Sequence, residues 1–328
     1  MDSRDFPYPT ELQRTRELEL IGHDGRALRR GLTAGEQHRL LRGIYVSAPL
    51  WAASDDDARY LMRIQAAVLT RRSRPVLSHL SAARIWGLPV LGRWPTQVHL
   101  RCSGGATRHA RNGIVWHYDS IDDDEIVEID GLLVTSRLRT MVDLARTERF
   151  ASVIVALDAG LRAPFLLPNG SRERDVSAEE LQEAVARLGT VRGCRGAGLA
   201  AAFADGQSGS AGESVSRANI YLAGLPAPEL QVAYPRPDGG EDKVDFTWNA
   251  RHHVRRLTLL GEFDGKVKYT RAQYMGGRTI QEVVWDEKVR EDRLRAPVRG
   301  MVRWLWDVAV SPVRLRALLT ATGLRPER

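Results

Sequence analysis

The stretch that decides the fold is Leu259-Leu260-Gly261-Glu262-Phe263-Asp264-Gly265-Lys266-Val267. Successive side chains of a strand point to opposite faces, so Glu262, Asp264 and Lys266 share one face of this stretch. Phe263 and Val267 occupy the other face. We therefore predict a half-buried strand that carries two carboxylates and an ammonium group on one surface.

A second alternating stretch, Lys243-Val244-Asp245-Phe246-Thr247-Trp248, lies upstream. Asp245 is opposite in phase to the apolar residues Val244, Phe246 and Trp248. If the two stretches pair as a hairpin, three acids and one lysine converge. Carboxylates that lie close together repel each other unless a cation compensates them, and oxygen ligands favour a hard ion. The pattern predicts a magnesium site formed by Asp245, Glu262 and Asp264.

The composition describes a basic globular protein. The chain has 328 residues, a hydrophobic content of 43% and a formal net charge of +7. A chain of this length usually forms two or three domains. Arginine supplies nearly all of the positive charge, which suits phosphate binding, although a genome that favours arginine over lysine accounts for it equally well.

The cysteines and the apolar runs indicate the compartment. The chain has only Cys102 and Cys194, too few and too far apart for a disulfide framework, so a reducing compartment is expected. The amino terminus lacks the apolar core of a secretory signal, and no apolar run reaches the length of a membrane span. We expect a cytoplasmic protein without a membrane partner.

Changes in pattern along the chain predict three domains within an α/β class, α+β overall. They are residues 1–50, a mixed α/β region at 51–203, and a domain at 204–328 that begins with a glycine- and serine-rich stretch at 204–212. In the middle region, helices are predicted at 58–68 and 81–86 and strands at 96–101, 113–117 and 131–134. A helix from Ser136 follows, in which Arg139 can pair with Asp143.

The histidines of the middle region do not show the helical spacing that is typical of a metal site. We interpret them as core or surface residues rather than ligands: His79, His99, His109 and His117. Asp158, in an apolar run, is interpreted as a structural partner rather than an acid catalyst.

The first 50 residues predict a winged helix-turn-helix over about 8–48. A helix at 11–20 is followed by a short helix at 25–32 and a hairpin that turns at Arg42-Gly43. One face of the second helix carries Arg26, Arg29 and Arg30, and the hairpin carries Arg39 and Arg42. A solvated basic helix beside an ordinary hairpin is the alternative.

The last domain predicts the order αβββαβ: a helix at 213–225, a strand at 229–234, the two stretches above, a helix at 280–294 and a strand at 301–308. This order, with Asp245 in the second strand and Asp264-Gly265-Lys266 in the third, resembles the PD-(D/E)XK nuclease superfamily, in particular its very short patch repair endonuclease-like branch. The resemblance covers about residues 210–310 and implies a restriction-endonuclease-like domain.

The resemblance implies that Glu213, Asp245, Glu262, Asp264 and Lys266 form the catalytic site of a nuclease dependent on Mg²⁺ or Mn²⁺. The acids would bind the metal, and the lysine would position the attacking water or offset developing charge. Glu213 also ends Ser210-x-x-Glu213, a capping box, so a cap and a ligand remain equal alternatives for it.

The front of the chain resembles abortive-infection type IV antitoxins through Arg29-Arg30, the stretch at 41–46 and the stretch at 78–83, Ser-His-Leu-Ser-Ala-Ala. These antitoxins bind operator DNA. The resemblance implies that Arg26, Arg29 and Arg30 approach the major groove, and that Arg39 and Arg42 contact phosphates or the minor groove. It also implies a partner protein from a toxin–antitoxin or phage-defence operon.

Our first hypothesis is therefore a DNA-binding endonuclease that uses magnesium or manganese. The second is an antitoxin-like transcriptional regulator in which the nuclease-type domain is catalytically silent, and the third is RNA processing. The sequence leaves the oligomeric state open.

Overall fold

A computed structural model describes residues 12–21, 24, 26–102, 109–265, 290, 293–294 and 299–327. The protein is of the α/β class. It forms two compact units: unit 1 is Met1–Thr147 with Leu166–Gly198, and unit 2 is Glu148–Phe165 with Leu199–Arg328. This division differs from the three predicted domains, because the first two form one unit and the segment Glu148–Phe165 packs with the carboxy-terminal part of the chain.

Unit 1 begins with two helices and a small antiparallel sheet of strand order β1-β3-β2. The elements are β1 (Gln13–Arg14), α1 (Thr15–Leu20), α2 (Arg26–Thr33), β2 (Gln37–Leu41) and β3 (Ile44–Ser47). The predicted order of two helices and a hairpin is confirmed, although α1 starts at Thr15. Gly43 in the hairpin turn has a φ of 80°, which glycine adopts without steric strain.

A six-stranded mixed sheet with strand order β6-β7-β5-β4-β9-β8 forms the centre of unit 1. The elements are α3 (Ala48–Ala53), α4 (Asp56–Leu69), β4 (Val76–Leu77), α5 (His79–Trp86), β5 (Val98–Arg101), β6 (His109–Arg111), β7 (Ile114–His117), β8 (Ile126–Ile129), β9 (Leu132–Thr135) and α6 (Arg137–Thr147). Strand β5 is parallel to β7. In α6, Arg139 Nε donates to Asp143 Oδ1 at 3.0 Å, as predicted.

The chain continues through α7 (Phe150–Leu161), β10 (Phe165–Leu166), β11 (Arg172–Glu173), α8 (Ala178–Ala186) and α9 (Cys194–Phe203). In unit 2, Asp158 of α7 is buried and accepts two hydrogen bonds from Arg217 Nη2, at 2.7 and 2.8 Å. Asp158 Oδ1 also accepts the Asp205 N–H at 2.8 Å. The prediction that Asp158 is a structural partner is confirmed by these contacts.

Unit 2 contains a four-stranded sheet of order β12-β13-β14-β15. Its elements are α10 (Ala211–Leu222), β12 (Glu229–Pro235), β13 (Glu241–Trp248), β14 (Thr258–Phe263), β15 (Arg299–Trp304), α11 (Trp306–Ala309) and α12 (Pro312–Ala321). The first three strands are antiparallel and β15 is parallel to β14. The predicted helix and strand order is confirmed; of the predicted helix at 280–294, only residues 290, 293 and 294 are described, and they are helical.

Two of the predicted strands end earlier than expected. Strand β14 stops at Phe263 rather than Val267, and β15 stops at Trp304 rather than Val308. Phe263 and Trp304 are register partners, so β15 has no strand beside it beyond that point. Trp306 therefore lies in a short helix, where it is 45% exposed, while Trp304 in the strand is buried.

The face of this sheet that packs against α10 is formed by aromatic residues. The rings of Phe246 and Trp304 stack 5.2 Å apart, and Trp304 Nε1 donates to Ser216 Oγ of α10 at 2.8 Å. A Cβ atom at Gly212 would lie 2.0 Å from the Phe263 ring, so the helix approaches this closely only because residue 212 is glycine. No helix in the described ranges has both the length and the apolar character needed to cross a bilayer.

Candidate functional site

The site in unit 2 forms where strands β13 and β14 separate. Their backbone pairing runs from Trp248 and Leu259 to Phe246 and Gly261. At the next position Asp245 Oδ2 accepts the Phe263 N–H at 3.0 Å. A side-chain carboxylate thus takes the place of a backbone carbonyl and is held in one orientation at the end of the ladder.

The chain changes face of the sheet at Asp245. Val244 packs with Leu260 and Leu294 on one face, whereas Phe246 packs with Trp304 on the other. The prediction that Val244 shares a face with Phe246 and Trp248 is therefore wrong. The strand is irregular here because its neighbour β12 is also irregular: Gln231, between the register pairs at 230 and 232, has a φ of 50°.

Gln231 joins the two acids that the sequence places on different elements. Its Nε2 atom donates to Glu213 Oε2 at 2.9 Å and to Asp245 Oδ1 at 3.2 Å. The helix acid and the strand acid therefore converge on one amide. Sequence reasoning missed Gln231, although the antiparallel register of β12 and β13 would have placed it opposite Asp245.

Glu213 is nearly buried and also supports the start of α10. Its Oε1 atom accepts the Ser210 hydroxyl at 2.9 Å, and its Oε2 atom accepts the Gly209 N–H at 2.7 Å. The Ser210 hydroxyl in turn accepts the Glu213 N–H at 3.2 Å. The two alternatives for Glu213 are thus compatible, because the carboxylate serves the helix start and still reaches the group around Asp245.

Glu262 has different surroundings from those we predicted. It is 7% exposed and forms ion pairs with Arg290 at 2.6 Å and Arg303 at 3.0 Å. Burial raises the pKa of its carboxyl group; the two arginines oppose this shift, and Asp245 adds to it. Because two guanidinium groups already bind both of its oxygens, we correct the metal-ligand prediction and leave Glu262 out of the cation-binding set.

Asp264 follows the end of β14 and is partly buried. Its N–H donates to the Trp304 carbonyl at 2.9 Å, which holds its backbone beside β15. Lys266 lies outside the described residues. We predicted that strand alternation places Glu262, Asp264 and Lys266 on one face. Strand β14 ends at Phe263, so this argument does not apply to Asp264 or Lys266.

The donor set of this site fits a hard divalent cation. Glu213 and Asp245 are carboxylates, the oxygen ligands that such a cation prefers. The observation that tests the fit is the Gln231 amide, whose partial positive charge lies between the two carboxylates. A cation would neutralise both acids better than an uncharged amide does. Magnesium and manganese, which prefer oxygen ligands, match Glu213 and Asp245.

A second candidate site is a basic groove in unit 1 with a volume of about 1070 Å³. Its lining includes both turns of neighbouring hairpins, Arg42-Gly43 and Asn112-Gly113. Five arginines line it: Arg26, Arg29, Arg39, Arg42 and Arg71. Arg71 was not predicted from the sequence; its guanidinium lies 5.2 Å from the centre of the Trp116 ring. We call this surface the arginine groove.

Arg30 differs from the other predicted DNA-binding residues. It is on the same helix as Arg26 and Arg29, but its Nη1 atom pairs with Asp24 at 2.9 Å, and it does not line the arginine groove. Four of the five predicted DNA-binding arginines therefore line the arginine groove, and Arg30 does not.

Comparison with known proteins gives two curated relatives, both from Mycobacterium tuberculosis. They are named Uncharacterized protein MT2308, from strain CDC 1551, and Uncharacterized protein Rv2248, from strain H37Rv. Each is 31% identical over 180 residues, which is 52% of this chain. The match spans 62% of the length of each relative. No family model matches the chain.

A solved structure, titled Crystal structure of RV2827C protein from Mycobacterium tuberculosis, also matches. It is 13% identical, covers 70% of this chain and 84% of its own, and has a TM-score of 0.37. At that TM-score the likeness bears on neither the fold nor the function of this protein.

Proposed function

We propose that this protein binds DNA through the arginine groove and hydrolyses phosphodiester bonds with Mg²⁺ or Mn²⁺ in unit 2. The observation that carries the proposal is the convergence of Glu213 and Asp245 on Gln231 at the point where β13 and β14 separate. The fold around this point supports the proposal. Helix α10 precedes the sheet, and the fourth strand, β15, is parallel to the third, β14, which matches the element order of the PD-(D/E)XK superfamily.

Each side chain of the site in unit 2 has a role in the proposed hydrolysis. Asp245 and Glu213 would hold the cation, and Asp264 is a further ligand only by the resemblance. When bound, the cation would supply a Lewis acid at the scissile phosphate. The Phe263 N–H prevents the Asp245 carboxylate from turning away, so its orientation is set before substrate arrives. Lys266, by resemblance, orients the attacking water or offsets the charge that develops on the phosphate.

The arginine groove supplies affinity for the DNA backbone. One guanidinium group can bind two oxygens of a phosphate at once. Several arginines on one concave surface therefore give DNA binding that depends on salt and is largely independent of sequence. Helix α2 and the hairpin β2–β3 correspond to the reading helix and wing of the antitoxin-like arrangement that the sequence resembles. We place this activity in the cytoplasm, in keeping with two cysteines that do not form a disulfide.

The experiment is nicking of supercoiled plasmid by the full chain with Mg²⁺ or Mn²⁺. We expect nicking by the wild type, at least a hundredfold slower nicking by Asp245→Asn and Lys266→Ala, and no nicking in chelator. Glu241→Gln is the matched control, because Glu241 is exposed on the same strand as Asp245. Wild-type inertness in both metals, or equal nicking by Asp245→Asn and the control, would contradict the proposal.

A second candidate function is a DNA-binding regulator whose nuclease-type unit is catalytically silent and which acts with a partner protein of the same operon. The ion pairs of Glu262 with Arg290 and Arg303 favour it, because they remove one carboxylate from the acidic cluster. It predicts salt-dependent DNA binding by the wild type without nicking in either metal.

A further inference from the structure

Three histidines that are scattered in the sequence meet in unit 1. His79 begins α5, His99 lies in the middle of β5, and His117 ends β7. One ring nitrogen of each lies within 4.8 Å of those of the other two. Their exposed fractions are 2%, 7% and 4%. The parallel pairing of β5 with β7 places the two strand histidines on the same face of neighbouring strands, because His117 is the register partner of Arg101, two residues beyond His99.

The spacing of this cluster is near that of ligands on one metal ion. His99 Nδ1 and His117 Nε2 are 3.0 Å apart. Two imidazole nitrogens on a tetrahedral zinc ion, each at about 2.0–2.1 Å from the metal, lie about 3.3 Å apart. The rings of His79 and His117 stack with their centres 3.5 Å apart, so His79 has to turn for its nitrogen to join the other two.

A buried carboxylate lies behind His79. Asp143 is fully buried, and its Oδ2 atom is 3.7 Å from His79 Nδ1. Among the described residues this oxygen accepts no hydrogen bond, whereas buried acceptors nearly always have a partner. A histidine that binds a metal through one nitrogen commonly directs its other nitrogen to a carboxylate. His79 Nδ1 also lies 3.1 Å from Ser78 Oγ. With the Nδ1–H directed to Ser78 or to Asp143, Nε2 of His79 is left for a metal.

The surroundings of His79 favour its neutral form. Burial holds the pKa of His79 well below its usual value; His99, Arg146 and Arg101 act in the same direction, and Asp119 opposes them. Three acids offset the nearby arginines: Asp119, Glu125 and Asp143 act on Arg101, which also experiences Arg139. Binding of a cation requires that His79 turn and that the proton between His99 and His117 move to the other nitrogen of its ring.

The backbone at the cluster is strained in a way that fixes the position of His79. Its φ is 51°, in the left-handed region that residues with a side chain seldom adopt. Such conformations persist where the surroundings hold them in place. In this conformation the His79 ring lies over the His117 ring, and it turns from there to bring its nitrogen to the other two.

We propose that His79, His99 and His117 bind one zinc ion, or a divalent transition metal of similar chemistry, in a buried site whose fourth ligand is a water molecule. Imidazole ligands select such metals over magnesium, and the burial of all three rings leaves little room for a substrate. Asp143 is a positioning residue for His79. The ion would tie α5 to β5 and β7 within unit 1, and the proposal is independent of the nuclease activity proposed for unit 2.

The test is metal binding by the full chain after removal of metals with a chelator. We expect one equivalent of Zn²⁺ to bind and to raise the melting temperature, and Co²⁺ to give the intense visible absorption of tetrahedral coordination. His99→Gln and His117→Gln should abolish both signals, and Asp143→Asn should weaken binding about 10–100-fold. His38→Gln, which alters a histidine of the same unit that stacks on Trp51, is the matched control and should retain them.

If the histidine variants fail to fold, metal binding by the wild-type protein is still a sufficient test of the proposal. No uptake of Zn²⁺ or Co²⁺, or a weak octahedral Co²⁺ spectrum, would show that the cluster is only a packed group of neutral imidazoles. Loss of zinc in Asp245→Asn would place the ion in unit 2 and would equally end the proposal.

Discussion

Asp245 and Phe263 are joined by a 3.0 Å hydrogen bond between a carboxylate oxygen and a backbone N–H, at the first position where β13 and β14 stop pairing. The bond satisfies a donor that the separation of the strands would otherwise leave unpaired. It also holds the carboxylate beside the Gln231 amide and Glu213. The same hydrogen bond therefore closes the end of the β13–β14 ladder and orients the Asp245 carboxylate.

Replacement of Gln231 should make the stability of the protein depend more strongly on Mg²⁺, because Glu213 and Asp245 lose the amide between them. We expect Gln231→Met, which keeps the shape but removes the donor, to lower the free energy of unfolding by about 1–3 kcal/mol in chelator. Addition of Mg²⁺ should recover more stability in this variant than in the wild type, because the cation replaces the amide. Thermal melts with and without Mg²⁺ measure both effects. Equal shifts with Mg²⁺ in the two proteins would argue against a cation between Glu213 and Asp245.

Salt dependence of DNA binding should distinguish the arginines of α2. We expect Arg26→Gln combined with Arg29→Gln to reduce the slope of log Kd against log salt concentration by about 0.9 for each lost phosphate contact. Arg30→Gln, on the same helix but paired with Asp24 outside the groove, should change the slope less. Fluorescence anisotropy with labelled duplex DNA at several salt concentrations gives the slopes. A larger effect from Arg30→Gln would exclude the arginine groove as the contact surface.

Loss of Arg217 should make the stability of unit 2 depend on pH. Burial raises the pKa of Asp158, and Arg217 offsets part of that rise. An acid whose pKa is higher in the folded state favours folding below its unfolded pKa, and this contribution is lost as the pH rises through the folded pKa. Arg217→Met should therefore destabilise the protein by about 3–5 kcal/mol near neutral pH and by less as the pH falls toward about 4.

Urea unfolding across that pH range measures the effect. Asp158→Asn combined with Arg217→Met should remove the added pH dependence, since no buried charge remains. Arg314→Met, which breaks an exposed ion pair with Asp307, is the control and should have little effect at any pH. A pH-independent loss in Arg217→Met would show that Asp158 does not titrate in this range.

Gly212 should be intolerant of even a methyl group. Its added Cβ would lie 2.0 Å from the Phe263 ring, so Gly212→Ala forces helix and strand apart and should cost about 1–3 kcal/mol. Gly198→Ala, in a helix with no atom within 4 Å of the new Cβ, should be neutral or stabilising. Chemical denaturation compares the two. Partial recovery when Phe263→Leu is added to Gly212→Ala would identify the ring as the cause.

The sequence predicted much of unit 2 because its strands have one apolar face. Phe246 and Trp248 alternate with Asp245, and the structure buries both rings. Val244 follows the same pattern but packs on the opposite face, because the irregularity at Gln231 and Asp245 depends on how two strands pair. A period of two in one strand carries no information about that pairing.

The surroundings of the charged and polar residues were harder to predict. Glu262 was placed in the acidic cluster by its phase, but Arg290 and Arg303 come from other elements and bind it. The histidines of unit 1 were interpreted as scattered, and only the adjacency of α5, β5 and β7 brings them together. The roles in DNA binding and nuclease chemistry that the sequence suggested stay predictions.

By itself the sequence determined the order of helices and strands, the hairpin turn at Arg42-Gly43 and the residues that form the apolar faces. These features follow from local periodicity and turn chemistry, which act between residues close in the chain. Only the tertiary structure decided which acids meet on Gln231, which one is neutralised by arginines and which histidines share a pocket. Such pairings depend on distances between elements far apart in sequence, and a charge or a lone pair acts only over a few ångströms within a folded protein.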